Sequence, residues 1–385
     1  MDVKEARRAM LRLLFWFSIT AIFYTYLGYP LLVWLVARCR RRAVNKAAAT
    51  PHVSVIIACH NEARRIEARL RNLLDCDYPS ERLEIILISD GSTDLTADIA
   101  RRFVSERVCV FAYERQMGKA TALNVGVELA TGEVIVFADA RQRFEARAIR
   151  ELVANFADPT VGAVSGELLL DGGSGVGESV GLYWKYEKWI RKSESRLGSV
   201  IGATGAIYAI RKRLWQPLPP MTILDDVYTP MCIAMGGHRV VFEEAARAYD
   251  QAAGSARREF ARKVRTLTGN YQLCQLMPRL LVPTSGLLLQ FYSHKLMRLA
   301  APIFFVLLLA VNVAIITTQG ASLFYSAMLA AQMIFYACVA AGAALLKRQR
   351  KVRLLNFAYV FSVMNAAALV GLFYFIVGKR DVWVR

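Results

Sequence analysis

The sequence predicts an α/β domain wound on a parallel sheet and joined to helices that span a membrane. Acidic residues are concentrated in the middle of the 385 residues, while long uncharged stretches lie towards both ends. Between about 50 and 245, short β-rich runs alternate with helical patterns, as is typical of parallel βαβ units. A single soluble fold would spread its apolar residues at a period of 2 or 3.6 instead of pooling them.

The formal net charge of +18 is compatible with nucleic acid, an anionic membrane surface or phosphorylated ligands as partners. The chain has no zinc-finger spacing, no RNA-binding strand signature and no basic recognition helix, so we expect no nucleic-acid partner. Much of the positive charge lies at 38–42 and 347–353, directly beside apolar segments. This placement is typical of the cytoplasmic flanks of membrane helices.

Cysteine and histidine usage argues against disulfides and zinc. The 7 cysteines are odd in number and never form a C-x-x-C pair, which indicates reduced thiols in the cytosol. The 4 histidines are scattered along the chain without a metal-binding spacing. Any metal is therefore expected to be a hard cation held by oxygen ligands.

The first apolar segment, residues 13–37, carries no charge. As a helix it would extend about 37 Å, enough to cross a hydrocarbon core of about 30 Å. Arginines follow at once, where a signal peptide would have a cleavage site, so we predict an uncleaved anchor with a kink at Pro30.

The C-terminal apolar region predicts three further spans. Residues 299–346 suit two helices with a turn near 317–320, and residues 354–378 suit a third. The basic loop at 347–353 is assigned to the cytoplasm, which places the central domain in the cytosol of an inner- or plasma-membrane protein. The predicted parts are a membrane anchor at 1–46, an α/β domain at 47–275, an interfacial helix at 276–298 and a transmembrane region at 299–385.

Polar residues follow the predicted strands at 53–58, 83–88 and 134–138. Glu62, Asp90 and Asp139 come after these three strands, and the carboxyl ends of parallel strands form the ligand-binding edge of such sheets. Gathered carboxylates repel one another unless a cation or a donor-rich ligand offsets the repulsion. We therefore predict a ligand site here. Residues 92–94 have a simpler reading, in which Ser92 or Thr93 caps the next helix.

Neither common phosphate-binding loop is present after the first strand. The glycine-rich segment 172–177 does not join a clear strand to a helix. It is interpreted as a mobile loop near the site or as a connecting loop without a functional role. Lys119, at the start of a predicted helix, is a candidate for contacting phosphates. A lone lysine in this position is also commonly a solvated one.

Six segments, taken in order, resemble the inverting glycosyltransferases of family 2, which have the GT-A fold. The resemblance covers about 50 to 275, and the membrane layout is similar to that of the polysaccharide-synthase branch. The matching segments are Val55-Ile56-Ile57-Ala58-Cys59-His60-Asn61-Glu62, Asp90-Gly91-Ser92, Gly118-Lys119 with Ala122-Leu123-Asn124, Asp139-Ala140-Arg141, Gly202-Ala203-Thr204-Gly205 and Leu224-Asp225-Asp226.

The resemblance implies a role for each segment. Asp226 would be the general base that takes the proton of the acceptor hydroxyl, with Asp225 and Gly205 on the acceptor side. Asp139 would bind Mg²⁺ or Mn²⁺ together with the donor diphosphate. Asp90 would hold the nucleobase of the donor. The other donor-binding residues would be Glu62, Lys119 and Arg141. Asp225 and Asp226 also suit the start of a helix, and both readings can hold together.

Two positions depart from the family pattern. Arg141 replaces the second acidic residue of the metal motif, and its guanidinium suits a phosphate or a carboxylate-bearing sugar. Processive synthases carry Gln-x-x-Arg-Trp after the base, whereas this chain has Thr266 in place of the tryptophan. Arg262 and Arg265 are expected to grip the diphosphate or an acceptor phosphate, or to belong to a solvated helix.

The sequence therefore predicts a membrane-bound hexosyltransferase that uses a nucleotide-sugar, for which a UDP-sugar is expected, and a polysaccharide or lipid-linked acceptor. The alternative is a non-processive enzyme that adds one sugar to a polyprenyl phosphate or glycolipid. A transporter with a regulatory nucleotide-binding domain belongs to another class, and it would be expected to carry ionisable residues within its spans. The predicted spans contain none. Oligomeric state, sugar and linkage are not predicted.

Overall fold

The computed structural model describes residues 3–171, 176–251, 256–282, 287–348, 350 and 352–378. Residues 172–175 of the glycine-rich segment lie outside the described residues. The α/β domain lies between an N-terminal helical segment and a C-terminal group of apolar helices.

The α/β domain is built on one eight-stranded sheet. Its strands are β1 (Val53–Cys59), β2 (Leu83–Asp90), β3 (Val108–Tyr113), β4 (Val134–Ala138), β5 (Arg143–Phe144), β6 (Val161–Asp171), β7 (Ile207–Arg211) and β8 (Arg239–Gln251). The four strands predicted from the sequence are β1 to β4. They pair in parallel in the order β3-β2-β1-β4, because a helix crosses over between each consecutive pair.

The second half of the sheet is mixed. Strand β7 runs antiparallel to β4 and to β6, while β6 and β8 are parallel. The full order is β3-β2-β1-β4-β7-β6-β8-β5. The alternation of strands and helices predicts a purely parallel sheet, and this prediction is correct only for the first four strands.

In the described part of this domain, seven segments are α-helices. They are α3 (Ile66–Leu74), α4 (Thr96–Arg101), α5 (Lys119–Leu129), α6 (Ala148–Val153), α7 (Val176–Leu197), α8 (Asp225–Met235) and α9 (Ala256–Leu276). Helix α3 packs on one face of the sheet against Val55 and Ile57, while α5 packs on the other face against Ile56. Alternate side chains of β1 point to opposite faces, so covering both faces buries the whole strand.

The membrane-type helices are α1 (Val3–Phe23), α2 (Tyr29–Cys39), α10 (Leu288–Gln290), α11 (Met297–Gln319), α12 (Leu323–Lys347) and α13 (Arg353–Ile376). Among the described residues, four continuous helical stretches are long and apolar enough to cross a membrane: Val3–Cys39, Leu288–Gln319, Leu323–Lys347 and Arg353–Ile376. The expected turn between two of the spans lies at Gly320, between α11 and α12.

The expected break at Pro30 takes the form of a wide π-helical turn, Tyr24–Gly28, between α1 and α2. Proline has no backbone N–H, so Pro30 cannot donate to the carbonyl of Tyr26. The hydroxyl of Tyr186, on α7, donates to this carbonyl instead, at 2.7 Å. The lost helical bond is thus replaced by a contact to the α/β domain.

The interfacial helix at 276–298 stays a prediction. From Leu288 onward, the chain runs through a second π-helical segment, Phe291–Leu296, directly into α11. The polar side chains of His294 and Arg298 form ion pairs with glutamates of α7, so their polar groups have partners within the protein. The span therefore begins earlier than its hydropathy indicates.

Candidate active site

Asp90, at the end of β2, is fully buried. Its two carboxylate oxygens accept the backbone N–H groups of Met117 and Gly118, at 2.6 and 2.9 Å. Gly91 follows with a φ of +61°, and a Cβ at this position would lie 2.3 Å from the backbone nitrogen of Gln116. Asp90 therefore fastens the end of β2 to the loop before α5, and its role in holding a nucleobase stays a prediction.

The turn after β1 is fastened to the turn after β2 through Asn61. Asn61 has a φ of +57°, which asparagine tolerates, and its side-chain oxygen accepts the N–H of Thr93 at 2.8 Å. The backbone N–H of Thr96 is accepted by Asp94 at 3.0 Å, so the prediction that Ser92 or Thr93 caps α4 is wrong. The hydroxyl of Ser92 instead accepts the N–H of Asn61, at 3.1 Å.

Lys119 lies between two carboxylates that come from different parts of the chain. Its Nζ is 3.2 Å from Oδ1 of Asp139 and 3.2 Å from Oδ1 of Asp225. Burial alone would lower the pKa of Lys119, but Asp139 and Asp225 raise it above its usual value. The lysine stays charged at neutral pH and links the end of β4 to the start of α8.

Asp226 follows Asp225 in the first turn of α8. Its Oδ2 accepts the N–H of Gly205 at 3.1 Å, and its own carbonyl accepts the N–H of Ala203 at 2.6 Å. Burial and the neighbouring carboxylate of Asp225 raise the pKa of Asp226 to about 6, while Lys119 acts in the opposite direction. A carboxylate of this kind is ionised at neutral pH and is a stronger proton acceptor than an ordinary aspartate.

The glycine at position 205 is required by the position of the carboxylate. A Cβ at Gly205 would lie 2.8 Å from Oδ2 and 3.2 Å from Cγ of Asp226. Any side chain here would push the carboxylate away from the N–H that holds it. The predicted acceptor-side glycine segment thus contacts the predicted base.

Arg141 points away from this cluster. Its guanidinium donates at 2.6 Å to Asp250, whose side chain is fully buried near the end of β8, and Gln142 donates to the same oxygen at 3.0 Å. The structure therefore pairs Arg141 with a protein carboxylate, and its contact with a donor phosphate stays a prediction. The arginine also ties the end of β4 to β8.

The other predicted site residues form local ion pairs or act on the charge of Lys119. Glu62 pairs with Arg65 at 2.8 Å, in the same turn. Arg262 pairs with Glu259, one turn earlier on α9. The charge of Arg265 acts to lower the pKa of Lys119.

Arg191 was not predicted from the sequence. It lies on α7 and donates to the hydroxyls of Thr204 at 2.8 Å and of Ser165 at 2.6 Å. Thr204 is next to Gly205, so Arg191 braces the segment that holds Asp226. No motif marks Arg191, because a basic residue on an amphipathic helix is usually a solvated one.

A divalent cation fits the site only in part. Asp139 offers a hard oxygen ligand and its side chain is 38% exposed. Among the described residues, no group of three or more His, Cys, Asp or Glu side chains is arranged to hold a metal ion. The protein residues thus suit a cation that takes its remaining ligands from a bound diphosphate.

Comparison with known proteins agrees with this geometry. Residues 54–216 match the model of glycosyl transferase family 2. A mannosyltransferase from Pyrobaculum calidifontis, solved with GDP-Man and Mn²⁺, superposes with a TM-score of 0.73 at 23% identity, covering 95% of this chain and 99% of that one. This superposition confirms the nucleotide-sugar transferase fold, GT-A.

Two curated relatives are similar in sequence. Poly-β-1,6-N-acetyl-D-glucosamine synthase of Staphylococcus aureus (strain COL) is 28% identical over 204 residues, 50% of this chain and 48% of the relative. The synthase of the same name from Staphylococcus epidermidis is 30% identical over 164 residues, 42% of this chain and 39% of the relative. The chain thus spans about half the length, or less, of the curated relatives it matches.

The fold of the α/β domain is that of the GT-A class. Over residues 54–216 the domain is similar to glycosyl transferase family 2, the family that its sequence motifs resemble.

Proposed function

We propose that the protein transfers a sugar, with inversion, from a nucleotide-sugar to a glycan acceptor at a membrane. The observation that carries this proposal is the position of Asp226. Its carboxylate is held by the N–H of Gly205 beside the Asp139–Lys119–Asp225 cluster, so a base lies next to the predicted donor site. Carboxylates positioned in this way contribute about 10²- to 10⁴-fold to the rate of such transfers.

In the proposed reaction, Asp226 takes the proton of an acceptor hydroxyl while that oxygen attacks the anomeric carbon. The nucleoside diphosphate leaves from the opposite face of the sugar, which inverts the configuration. Lys119 lies where it can offset charge that develops on the leaving diphosphate, and the charge of Arg265 is close by. Asp225 holds Lys119 in this position.

For the donor we propose a UDP-sugar and for the cofactor Mg²⁺ or Mn²⁺. The relative from Pyrobaculum calidifontis was solved with a nucleotide-sugar and Mn²⁺, which supports a donor of this class but does not name the sugar. Asp139 would hold the cation together with the diphosphate of the donor. The cation, when bound, supplies electrostatic stabilisation of the leaving group.

For the acceptor we propose a polysaccharide or a lipid-linked glycan, as the names of the curated relatives suggest. One observation favours the alternative of a single transfer. The hydroxyl of Thr266 donates to the carbonyl of Arg262 within α9, at 3.0 Å, so this position presents no flat face to an acceptor sugar. The length of the product distinguishes the two functions.

We further propose that the α/β domain faces the cytosol from a plasma or inner membrane. Basic residues follow α2, at 40–42, and lie between α12 and α13, at 347–353. The connection between α11 and α12 carries no lysine or arginine. Donor nucleotide-sugars would then reach the site directly from the cytosol.

The experiment is a nucleotide-release screen with purified enzyme in lipid, across UDP- and GDP-sugars, with Mn²⁺ or with a chelator. We expect release from one donor to exceed the rest, and to fall when the chelator is present. Product length is read on the same samples: a ladder indicates a polymerase, and a single shift indicates single transfer. No release with any donor would contradict the proposed function.

A further inference from the structure

One face of α7 connects the span Leu288–Gln319 with the α/β domain. Glu187, Arg191 and Glu194 follow one another at spacings of four and three residues, which places their side chains on the same face of the helix. The side chain of Glu194 is fully buried, and that of Glu187 is 16% exposed. Charged groups in such enclosed positions need partners, and these three have them on two sides of the helix.

The two glutamates bind cations of the span. His294 contacts Glu194 through Nδ1 at 2.8 Å and Glu187 through Nε2 at 3.1 Å. Arg298, one turn further along the span, forms an ion pair with Glu187. His294 is itself buried, so water does not replace it, and these contacts fix α7 against the span.

Arg191, between the two glutamates, binds the α/β domain. Its guanidinium donates to the hydroxyls of Thr204 at 2.8 Å and of Ser165 at 2.6 Å, and it lies over the ring of Phe242. The hydroxyl of Ser165 also accepts the N–H of Thr204, at 2.9 Å. The backbone at Thr204 is therefore fixed relative to α7.

Thr204 belongs to the segment that holds the base. On one side of it, the N–H of Ala203 donates to the carbonyl of Asp226 at 2.6 Å. On the other side, the N–H of Gly205 donates to the carboxylate of Asp226 at 3.1 Å. A continuous series of polar contacts thus runs from His294 on the span, through one face of α7, to the carboxylate of Asp226.

We propose that His294, on the membrane span, is a positioning residue for Asp226 and acts through α7. The inference rests on the proposed function and deepens it, because it names what fixes the position of the base. The span holds α7, Arg191 on α7 holds Thr204, and the neighbouring Gly205 keeps the carboxylate in place. Transfer is then efficient only while the α/β domain is docked on its membrane helices.

The first test is His294→Phe, which keeps a flat ring and removes both contacts with the glutamates. The full-length protein in lipid is assayed for kcat, KM and nucleotide-sugar binding, with the donor selected in the release screen. We expect kcat to fall at least about tenfold with donor binding unchanged, because a displaced base slows proton transfer without touching the donor. Tyr292→Phe is the matched control, since Tyr292 lies in the same π-helical segment and is 51% exposed, and its kcat should be normal.

Coupling to the base is measured by a double-mutant cycle with Gly205→Ala, because contact in space does not by itself show that two residues act on each other. If His294 acts through the position of Asp226, the combined loss of kcat is smaller than the product of the two single losses. Losses that multiply would overturn the inference, as would a normal kcat in His294→Phe.

Hydrogen exchange gives a readout that does not depend on activity. Residues 203–205 donate three successive backbone N–H groups to fixed acceptors, so a peptide covering 202–206 reports on this segment. We expect about tenfold faster exchange of this peptide in His294→Phe, with exchange in β1 unchanged. Unchanged exchange at 202–206 would overturn the inference.

The two proposals fail in different ways. If the exchange at 202–206 changes as expected but the wild type transfers no sugar, the proposed function fails. If the wild type transfers sugar while His294→Phe has normal kcat and normal exchange, only the inference fails.

If His294→Phe does not fold, Thr204→Val and Thr204→Ser test the same series of contacts nearer the base. Valine keeps the shape of threonine and loses the hydroxyl that accepts from Arg191, whereas serine keeps the hydroxyl. We expect a loss of kcat of about tenfold in Thr204→Val and little change in Thr204→Ser. Equal activity of these two variants would overturn the inference.

Discussion

At the residue scale, Asp226 is surrounded by charges of both signs. A like charge at Asp225 raises the free energy of the ionised form, and cations lower it. The charged groups that act on the carboxylate are Asp225, Lys119, Lys295, Asp139 and Arg191. The balance leaves a base that is ionised at neutral pH yet more basic than a solvated aspartate.

The pH dependence of transfer follows from this balance. Asp226 accepts a proton only when ionised, so kcat/KM should fall by about tenfold per pH unit below its pKa of about 6. Asp225→Asn removes the like charge, which lowers the pKa of Asp226 and moves the acidic limb to lower pH. The measurement is the pH profile of kcat/KM for both proteins. An acidic limb that stays in place, or moves to higher pH, would contradict this account.

Gly205→Ala tests the contact between the glycine segment and the base. The added methyl group would lie 2.8 Å from Oδ2 of Asp226 and must displace it. Displacement of a catalytic group by about 1 Å can cost about 10²-fold, so we expect transfer to fall about 10- to 100-fold with donor binding unchanged. Gly198→Ala is the control, because a Cβ at Gly198 has no atom within 4 Å. Equal activity of the two variants would rule out this role for Gly205.

At the element scale, the first four strands were predictable because one effect, burial within the sheet, dominates their sequence pattern. Strand β1 is buried on both faces, so it reads as a continuous apolar run, and the helices between the strands show a clear period. The polar residues after these strands could therefore be assigned to one edge of the sheet. The structure adds a contact that this reasoning did not predict, 3.2 Å between Nζ of Lys119 and Oδ1 of Asp139.

The second half of the sheet was not predictable in this way. The antiparallel direction of β7 depends on pairing with β4 across a long separation in sequence, which local patterns do not encode. The pairing of Arg141 with Asp250 is equally distant, and it left the sequence interpretation of Arg141 as a phosphate ligand without structural support.

The segment before α8 contains a strained residue. Met221 has a φ of +60°, which costs a bulky side chain about 1 to 3 kcal/mol, and its side chain is 42% exposed. Its carbonyl accepts the side-chain amide of Gln272, on α9, at 2.9 Å. The turn is therefore held by tertiary contacts immediately before the helix that begins with Asp225.

Met221→Asn should stabilise the protein by about 0.5 to 1 kcal/mol, because asparagine adopts this conformation with less strain. The measurement is the free energy of unfolding, or the thermal inactivation half-life if unfolding is irreversible. Met235→Asn is the control: Met235 is 38% exposed but lies in α8 with ordinary helical geometry, so no stabilisation is expected. A destabilised Met221→Asn protein would show that the methionine side chain matters more than the strain.

At the scale of the whole molecule, side-chain contacts join the apolar helices to one another and to the α/β domain. Arg12, on α1, donates to the side chain of Gln319, at the end of α11, at 3.0 Å. Helix α9 of the α/β domain packs on α13, where Thr268 donates to the carbonyl of Gly371 at 3.2 Å. A Cβ at Gly371 would lie 3.1 Å from the nitrogen of Thr268, so the glycine permits this close packing.

The orientation can be tested with Cys109, which is exposed on β3 of the catalytic domain. A variant that keeps Cys109 and replaces the other cysteines by serine is treated with a membrane-impermeant maleimide. We expect labelling in inside-out vesicles and none in intact cells, because the domain is proposed to face the cytosol. A variant without any cysteine is the control. Labelling of Cys109 in intact cells would place the catalytic domain on the outer side.

The central claim is that Asp226 is the base of a sugar transfer whose donor is bound by other residues. The most direct measurement compares Asp226→Asn with the wild type, in nucleotide-sugar binding and in transfer. The account predicts unchanged donor binding and a loss of transfer of at least about 10²-fold, while Asp98→Asn, at an exposed carboxylate, has normal activity. Full transfer activity in Asp226→Asn would contradict the account.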